Sequence, residues 1–318
     1  MIATTEKFVF TVSTPPTITD LSIVLVCWNN KEYLVPCLRS LYASGLTINF
    51  DVVVVDNGST DGSLDILAAE FPQVRVIRNH ENVGLSRASN QGIQGTNGRY
   101  VLLLNNDTLV NGNALTAMVE FLDLQPDAGA VGGQLLNPDG SFQSGYASFS
   151  SLSQEFLIAT GLGERLWSGY PSHGRGNSVK RVDWLSSACL MLRRVALDQV
   201  GLLDEQYFVY GDEADLQFRL KKAGWQVYYL PQASIIHYGG RSMNRWRRRR
   251  MVYRGKLLFY KKCYSALSAF GLRMLLGALT FVKTMAWTAA LAIPGRQNVA
   301  RQELRSNLDV LALCLRLD

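Results

Sequence analysis

Polar side chains stand at the ends of two strongly apolar stretches of this sequence. Asn105–Asp107 follow the run Val101–Leu104, and Asp56 follows the run Val52–Val55. Such runs are typical of strands that are buried on both faces of a sheet. A carboxylate and two amides at the mouth of a buried strand are suited to contact a polar ligand. The alternative is that they cap the next helix or form a turn.

The elements that must position these side chains alternate between strand and helix. Apolar runs predict strands within 21–30, 50–56, 74–79 and 99–107, and helical spacing predicts helices at 32–45, 63–72 and 86–96. This order predicts an α/β fold with a parallel sheet and right-handed crossovers. Ligands of such sheets bind outside the carboxyl ends of the strands. The residues at those ends are Trp28, Asp56, Asn79–Asn82 and Asp107.

The second half of the chain is less regular. The patterns predict a helix at 113–123, a strand and turn at 129–141, a strand and helix at 182–205, an amphipathic helix at 212–225 and two extended pieces at 226–240. Residues 145–180 are rich in Gly and Ser and have little periodicity. We expect a mobile loop region there.

Length and composition limit the class of protein. A chain of 318 residues that is 47% hydrophobic can form one large α/β domain with appendages, or two small domains. Its five cysteines form no CxxC pair, so neither a disulfide framework nor a zinc site is favoured, and a reducing compartment fits best. Residues 1–20 lack an apolar segment of signal-peptide length and are expected to form an irregular lead-in.

Charge is distributed very unevenly along the chain. Residues 1–215 carry 13 basic and 23 acidic side chains, a net charge of −10, whereas residues 216–318 carry 19 basic and 3 acidic side chains, a net charge of +16. No acidic residue occurs from Leu216 to Gln302. A tail of this composition is suited to bind a polyanion, either a nucleic acid or an anionic membrane surface.

Seven segments, taken in order, resemble glycosyltransferase family 2, and are most similar to its bacterial rhamnosyltransferase-type branch. The segments are VLVCWNN, VVVVDNGSTDGS, ENVGLSRASNQGI, VLLLNNDT, WLSSACLMLRR, YGDEADLQFRLKKAGW and IIHYGG. The resemblance covers about residues 21–242. It implies the GT-A fold, a Rossmann-like, mostly parallel sheet flanked by helices. A nucleotide-sugar half (21–112) and an acceptor half (113–242) would then precede a basic helical extension (243–318).

The resemblance implies a metal site. Asn105–Asn106–Asp107 matches the DXD motif, which holds a divalent cation against the donor diphosphate, although here it contains one carboxylate. Asp107 would be a ligand of Mg²⁺ or Mn²⁺, both of which accept hard oxygen ligands. Asn105 and Asn106 would contact the donor or a metal-bound water. His237 in IIHYGG would complete the metal site or touch the diphosphate.

The resemblance also implies a nucleotide subsite. Asp56 would accept a hydrogen bond from the pyrimidine base, and an Asx-type turn is the alternative. The other donor contacts implied are Trp28, Asn29, Asn57, Asn82, Gly84, Arg87 and Asn90. Gly84 would allow the backbone to approach the ligand closely, and Arg87 would pair with a phosphate unless it lies on a solvated helix face.

By the same resemblance, the general base comes from YGDEADL. Ungapped matching assigns it to Glu213, and Asp212 is the alternative. One base suffices for a single inverting displacement. Both acids would also complement the dipole of the helix that they begin, and Asp215 is expected to pair with Arg219. Trp184 and Ser187 would line the acceptor side.

The basic tail predicts association with a membrane surface. Arginines cluster at 245–250, and a hydrophobic stretch at 266–293 is interrupted by Arg273 and Lys283. The longest charge-free run, 284–295, is too short to span a bilayer. In a single helix, Lys262, Arg273 and Lys283 would share an arc of about 80–100° and face an anionic interface. Packing on the catalytic domain, a homo-oligomer interface and a tilted spanning helix are the alternatives.

Together these features favour a metal-dependent inverting glycosyltransferase. The donor would be a dTDP- or UDP-sugar, with dTDP-rhamnose as the first choice. The acceptor would be a glycan or a polyprenyl-diphosphate-linked glycan at the inner face of the cytoplasmic membrane. A catalytically degenerate carbohydrate-binding protein is one alternative. Nucleic-acid binding through the arginines is another, but no nucleic-acid-binding signature supports it. The first strand is not followed by GxGxxG, which disfavours an oxidoreductase.

Overall fold

The computed structural model describes residues 19–166, 178–239 and 244–315, so nearly all of the predicted lead-in lies outside the described residues. The strands are β1 (Leu21–Cys27), β2 (Phe50–Asp56), β3 (Arg75–Arg78), β4 (Tyr100–Leu104), β5 (Thr108–Val110), β6 (Ala128–Leu136), β7 (Phe142–Gln143), β8 (Tyr146–Ala147), β9 (Lys180–Val182), β10 (Trp184–Leu185), β11 (Cys189–Arg193) and β12 (Gln226–His237).

Helices cover both faces of the sheet and form the C-terminal extension. They are α1 (Lys31–Tyr42), α2 (Ser63–Glu70), α3 (Leu85–Gln94), α4 (Ala114–Leu124), α5 (Leu152–Thr160), α6 (Gly163–Leu166), α7 (Arg194–Val200), α8 (Asp212–Lys222), α9 (Arg245–Cys263), α10 (Ala266–Ala290) and α11 (Gln297–Leu315). Helices α1 and α4 pack on one face of the sheet, and α3, α7 and α8 pack on the other.

The central sheet follows the order β3-β2-β1-β4-β11-β6-β12-β5. Its first four strands are parallel, as the alternation of strands and helices predicts. Strand β11 lies antiparallel between β4 and β6, while β6 and β12 are parallel. The parallel strands β1, β2 and β4 are buried along almost their whole length, which explains their continuous apolar runs.

Strand β12 is one long element with a register shift between Leu230 and Ser234, rather than two separate pieces. Its last residues pair antiparallel with β5, and His237 stands opposite Thr108. Because Thr108 directly follows Asp107, this pairing carries His237 to the end of β4. The register of β12 therefore decides which side chains meet there.

The predicted loop region at 145–180 contains ordered helix. Helix α5 begins with a capping box between Ser151 and Gln154, which satisfies backbone donors that would otherwise be orphaned at its first turn. The low periodicity of the sequence concealed this short helix. Residues 167–177 of the same region lie outside the described residues.

The C-terminal extension, α9 to α11, packs on the rest of the chain through its own small core. Phe259 of α9, Leu272 of α10 and Val310 of α11 belong to this core. Helix α9 also makes polar contacts with the 150–155 segment, because the Tyr260 hydroxyl donates to the Ser150 carbonyl at 2.6 Å and Lys256 pairs with the buried Glu155 at 2.6 Å. The extension is thus held against the domain by apolar and ionic contacts together.

The predicted polar arc of the extension does not form. The chain breaks between α9 and α10, where Ser265 caps α10. Lys262 pairs with Asp204 of the catalytic domain, and Lys283 donates to the Ala159 carbonyl at 2.7 Å. The exposed face of α10 is instead apolar. Its members are Leu267, Phe270, Met274, Phe281 and Met285, which fall within about 60° at about 100° per residue.

We call these five residues the apolar stripe. Within the described part of the chain, α10 is long and apolar enough by length and composition to cross a membrane, with a mean hydropathy of 1.4. One face of α10 nevertheless packs on the protein, because Leu272, Leu276 and Thr280 are buried. The helix therefore presents one apolar face to its surroundings while the opposite face belongs to the core.

Candidate active site

A cleft of about 260 Å³ opens at the carboxyl ends of the central strands. It collects residues that are distant in the sequence, as the fold rule for open α/β sheets predicts. The predicted site residues that line it are Trp28, Asn57, Asn82, Asn105, Asn106, Asp107, Ser187, Glu213 and His237. The cleft thus brings together side chains from the donor, metal, acceptor and base groups of the prediction.

Asp107 and His237 form a pair at the end of β4. Nε2 of His237 lies 3.3 Å from Oδ1 of Asp107 and 3.3 Å from Nδ2 of Asn105. Asp107 is largely buried, and the pairing of β5 with β12 fixes the relative positions of the two side chains. Asn106 is held in turn by Asn30, whose Nδ2 donates to Asn106 Oδ1 at 2.7 Å.

Gln143 determines which nitrogen of His237 carries the proton. Its Nε2 donates to the His237 carbonyl at 3.1 Å and to Asn137 Oδ1 at 2.9 Å, so its Oε1 is left to accept from Nδ1 of His237 at 2.6 Å. The proton of a neutral ring then stands on Nδ1, and Nε2 presents a lone pair.

This arrangement fits a divalent cation. In this tautomer the Nε2 lone pair accepts from Nδ2 of Asn105 and lies beside the carboxylate oxygen of Asp107, so a cation would replace the Asn105 contact. Gln143 orients the imidazole from its other side, as is usual for metal-ligating histidines. Among the described residues, no group of three or more His, Cys, Asp or Glu could hold a metal. Two protein ligands suffice where substrate phosphates supply the remaining oxygens, as is common for Mg²⁺.

The two acids at the start of α8 have different surroundings. Glu213 lines the cleft, whereas Asp212 is buried and its Oδ1 has no hydrogen-bond partner within the described residues. Burial raises the pKa of both carboxyl groups, and the charge of Asp212 raises the pKa of Glu213 further, well above its ordinary value. A carboxylate with a raised pKa is a better proton acceptor, so Glu213 has the position and the basicity of a general base.

Helix α3 supports the turn that carries these acids. The Ser86 hydroxyl donates to the Tyr207 carbonyl, and the Leu85 amide donates to the Phe208 carbonyl, both at 2.7 Å. Gly84 has a φ of 93°, and a Cβ there would lie 2.8 Å from the Phe208 carbonyl oxygen. In this structure the close approach that Gly84 permits is to the turn at 207–211, which we call the base turn, and its contact with the donor stays a prediction.

The same turn is held from the other side by the extension. Tyr210 has a φ of 65° and Gly211 a φ of 99°, so both adopt the left-handed conformation, which is costly for tyrosine. A Cβ at Gly255 of α9 would lie 2.2 Å from the Tyr210 carbonyl oxygen. The backbone of α9 thus directly supports Tyr210, which lies two positions before Asp212.

The predicted nucleotide subsite contains a network of amides. Asn57 donates to Asn82 Oδ1 at 3.3 Å and to the Gly84 carbonyl at 3.2 Å, and it accepts from Asn79 at 2.9 Å. Asp56 is buried, and unlike Asn57 it does not line the cleft. Its Oδ2 accepts from the Ser59 amide at 3.2 Å, whereas its Oδ1 has no partner among the described residues. An unpaired buried acceptor at this position is suited to the N–H of a pyrimidine base.

Several predicted donor contacts lie elsewhere. Asn90 exchanges hydrogen bonds with the Leu203 backbone at 2.8 and 3.1 Å, so its amide ties α3 to the 203 loop. Arg87 is exposed on the surface of α3, 3.9 Å from Glu205. Asn29 is exposed and accepts from the Thr60 amide at 2.7 Å.

On the acceptor side, only one of the two predicted residues reaches the cleft. Ser187 lines it, whereas Trp184 stands in β10 outside it. The predicted pair of Asp215 and Arg219 is confirmed at 2.9 Å. Because both partners of this ion pair belong to α8, Asp215 stabilises the helix. Glu213 and Asp212 remain the candidates for the general base.

Six polar residues at the site are not predicted from the sequence. They are Asn30, Gln143, Ser186, Tyr210, Arg247 and Arg248. The amide doublet at 29–30 is a signal for Asn30. Gln143 lies in a stretch without periodicity, and the composition of the arginine cluster predicts a membrane surface rather than the cleft. For these residues no local pattern indicates a place in the site.

Similar proteins agree with this geometry. Residues 22–201 match the family described as Glycosyl transferase family 2. N-acetylglucosaminyl-diphospho-decaprenol L-rhamnosyltransferase of Mycobacterium tuberculosis is 33% identical over 241 residues, which are 71% of this chain and 78% of that protein. Succinoglycan biosynthesis protein ExoA of Rhizobium meliloti is 27% identical over 229 residues, 70% of this chain and 64% of that protein.

Solved structures share the fold. The mannosyltransferase PcManGT of Pyrobaculum calidifontis, solved with GDP-Man and Mn²⁺, matches with a TM-score of 0.54 at 15% identity over 97% of this chain and 90% of that one. The fold and the cleft define a glycosyltransferase of the GT-A type. The chain belongs to glycosyl transferase family 2, which confirms the resemblance seen in its motifs.

Proposed function

We propose that this protein transfers rhamnose, with inversion, from dTDP-rhamnose to the N-acetylglucosamine of a polyprenyl-diphosphate-linked acceptor. A UDP-sugar is the alternative donor. The name of the mycobacterial relative supports the sugar and the acceptor, because that protein is 33% identical and is matched over 78% of its length. The observation that carries the chemistry is that Glu213 and the Asp107–His237 pair line one cleft.

The proposed mechanism is a single displacement. Glu213 takes the proton of an acceptor hydroxyl, the hydroxyl oxygen attacks the anomeric carbon, and the bond from that carbon to the donor phosphate oxygen breaks. Asp107 and Nε2 of His237 would hold Mg²⁺ or Mn²⁺, which supplies charge neutralisation for the departing diphosphate. Asp56 and Asn57 would orient the base, and Ser187 would contact the acceptor.

We further propose that residues 21–242 act as the catalytic unit and 243–318 as a membrane-associating extension. The apolar stripe on α10 and the arginines of α9 support a position at the inner face of the cytoplasmic membrane. Apolar side chains would enter the interface while basic side chains approach anionic lipid head groups. A lipid-linked acceptor is available only at such a surface.

The test is transfer by the full chain with defined substrates. We expect rhamnosyl product from dTDP-rhamnose and N-acetylglucosaminyl-diphospho-polyprenol, with the anomeric configuration opposite to that of the donor, and its loss in EDTA with recovery on adding Mn²⁺. UDP- and GDP-sugars are the matched donors for comparison. Transfer from one of these but not from dTDP-rhamnose would refute the donor, and retention of configuration would refute the mechanism.

A further inference from the structure

The arginines of α9 divide into two structurally different groups. Arg245 and Arg249 pair with Glu303 of α11 at 2.5 and 2.7 Å, and the indole nitrogen of Trp246 donates to the same carboxylate at 3.2 Å. Glu303 is almost fully buried. These two arginines therefore join α9 to α11 and share the single carboxylate of Glu303.

A second group lines a groove between the same two helices. Arg247 and Arg250 of α9 and Arg305 of α11 line this groove, which has a volume of about 530 Å³. The one acidic side chain along it, in the described part of the chain, is Asp309, which lies 3.8 Å from Arg250. Neither Arg247 nor Arg305 forms an ion pair with a carboxylate of the described residues. Three guanidinium groups thus face one carboxylate.

The groove also holds an unused buried hydroxyl. Ser306 lines it and is 4% exposed, and its Oγ has no hydrogen-bond partner within the described residues. Trp246 and Met251 add apolar surface at the same place. Guanidinium groups bind phosphates through paired N–H donors, and a hydroxyl adds another donor. The combination suits a diphosphate that carries an apolar substituent.

The groove adjoins the catalytic cleft. Arg247 lines both of them, and its neighbour Arg248 lines the cleft together with Glu213. A ligand whose diphosphate lies in the groove would therefore direct the group attached to it towards Glu213. The donor diphosphate is expected at Asp107 and His237, on the metal side of the cleft, which leaves the groove for a second diphosphate.

We propose that the α9–α11 groove binds the diphosphate of the lipid-linked acceptor, with Arg250 and Arg305 as its principal contacts and Arg247 at its junction with the cleft. This inference rests on the proposed function, because it assigns a place to the acceptor of that reaction. The groove fixes the acceptor sugar beside the base and directs the lipid away from the cleft.

The experiment compares two acceptors in the double variant Arg250→Gln/Arg305→Gln. With N-acetylglucosaminyl-diphospho-decaprenol, we expect the acceptor KM to rise at least tenfold while the KM for the donor stays unchanged. With octyl N-acetylglucosaminide, which lacks the diphosphate, the double variant should match the wild type. The control is Arg254→Gln, which removes an exposed arginine of α9 outside the groove. Arg250→Lys/Arg305→Lys should restore part of the affinity.

A binding measurement separates this inference from the proposed function. Decyl diphosphate, a probe without sugar, should bind at least tenfold more weakly to the double variant, whereas dTDP with Mn²⁺ should bind as it does to the wild type. If the double variant bound dTDP more weakly and decyl diphosphate as tightly as the wild type, the groove would bind the donor, and the proposal would be overturned. Equal losses with both acceptors would overturn it as well. Failure of the wild type to transfer, with the decyl diphosphate result as expected, would count against the proposed function alone.

Discussion

Nε2 of His237 lies 3.3 Å from Oδ1 of Asp107 while Nδ1 of the same ring contacts Oε1 of Gln143 at 2.6 Å. These two residues, which are the predicted metal ligands, are distant in the sequence and meet because β12 pairs with β5. The imidazole is oriented before any cation binds. The sheet and Gln143 therefore position both side chains in advance, so that binding of a cation does not require them to rearrange.

Substitution of Asp107 should abolish the effect of the cation on donor binding. We expect dTDP to raise the melting temperature of the wild type more strongly with Mn²⁺ than without it, because a ligand stabilises the state that binds it. In Asp107→Ala this additional shift should be absent. Thermal denaturation with dTDP, with and without Mn²⁺, measures both quantities.

The matched control for that experiment is Asp198→Ala, an exposed acid on α7, which should behave as the wild type. Gln143→Ala provides a graded variant, since loss of a residue that orients a ligating histidine typically weakens metal affinity by about 10–100-fold. If Asp107→Ala kept the full Mn²⁺-dependent shift, the cation would be held elsewhere.

The variants Glu213→Gln and Asp212→Asn should separate the two acids. Glu213→Gln should retain donor binding and lose transfer by about 10²–10⁴-fold, the usual contribution of a general base. Asp212→Asn should retain much more activity, because Asp212 lies outside the main cleft. Steady-state kinetics and dTDP binding are the measurements. Normal transfer by Glu213→Gln would refute the base assignment, and a larger loss in Asp212→Asn would transfer the role to Asp212.

The rate should depend on pH in a direction fixed by these two acids. The base must be ionised, so kcat/KM should fall as pH falls through the pKa of Glu213, and burial and the charge of Asp212 place that pKa well above 4.5. Asp212→Asn removes the neighbouring charge, so the acid limb should move to lower pH. If the acid limb of Asp212→Asn stayed at the wild-type pH or moved to higher pH, the charge of Asp212 would not be what raises the pKa of Glu213.

A methyl group at Gly255 should disturb the base turn from the side of the extension. The Cβ of Gly255→Ala would lie 2.2 Å from the Tyr210 carbonyl oxygen, so the turn or α9 must shift, at a cost of about 1–3 kcal/mol. We expect a lower melting temperature and a lower kcat. Gly277→Ala in α10 is the control, because its Cβ would lie 3.7 Å from its nearest neighbour, and alanine favours helix. Equal effects of both substitutions would show that the contact with Tyr210 is not special.

The apolar stripe should determine binding to vesicles. Phe270→Glu/Phe281→Glu introduces two charges into side chains that are 60% and 58% exposed, so folding should be preserved while sedimentation with anionic vesicles is lost. Leu124→Glu, at an 82% exposed position on α4, is the matched control. Vesicle binding that survives the double substitution would refute the membrane role. A change in mass by light scattering would instead assign the stripe to a homo-oligomer interface.

The sequence predicted the first four parallel strands because each is a local pattern, an apolar run that ends in a polar residue. The same logic predicted Trp28, Asp56 and Asp107 at one edge of the sheet, and Trp28 and Asp107 line the cleft there. The partners that complete the site are non-local. Gln143 reaches His237 only because β7 pairs with β6, and no periodicity in the sequence reports such a pairing.

Some predicted donor residues make other contacts in this structure. Asn90 and Gly84 occur in a segment that resembles a nucleotide-binding motif. Asn90 exchanges hydrogen bonds with the Leu203 backbone, and Gly84 lies against the Phe208 carbonyl of the base turn. The apolar stripe was unexpected because the pattern was interpreted as one helix with its charges outward. The break before α10 rotates the helix so that Lys283 contacts the protein.

Helix α3 holds the nucleotide amides at one end and the base turn along one side, since Asn57 bonds to the Gly84 carbonyl while the Phe208 carbonyl accepts from Leu85. In the proposed mechanism, helix α3 therefore supports both the residues that bind the donor nucleotide and the turn that carries the general base. A substitution near Asn82 that changes the preferred nucleotide would also affect the turn that carries Glu213. Proton abstraction would therefore limit which substitutions are accepted. Drift in donor preference within such an enzyme should accordingly be accompanied by compensating changes in the loop at 203–211.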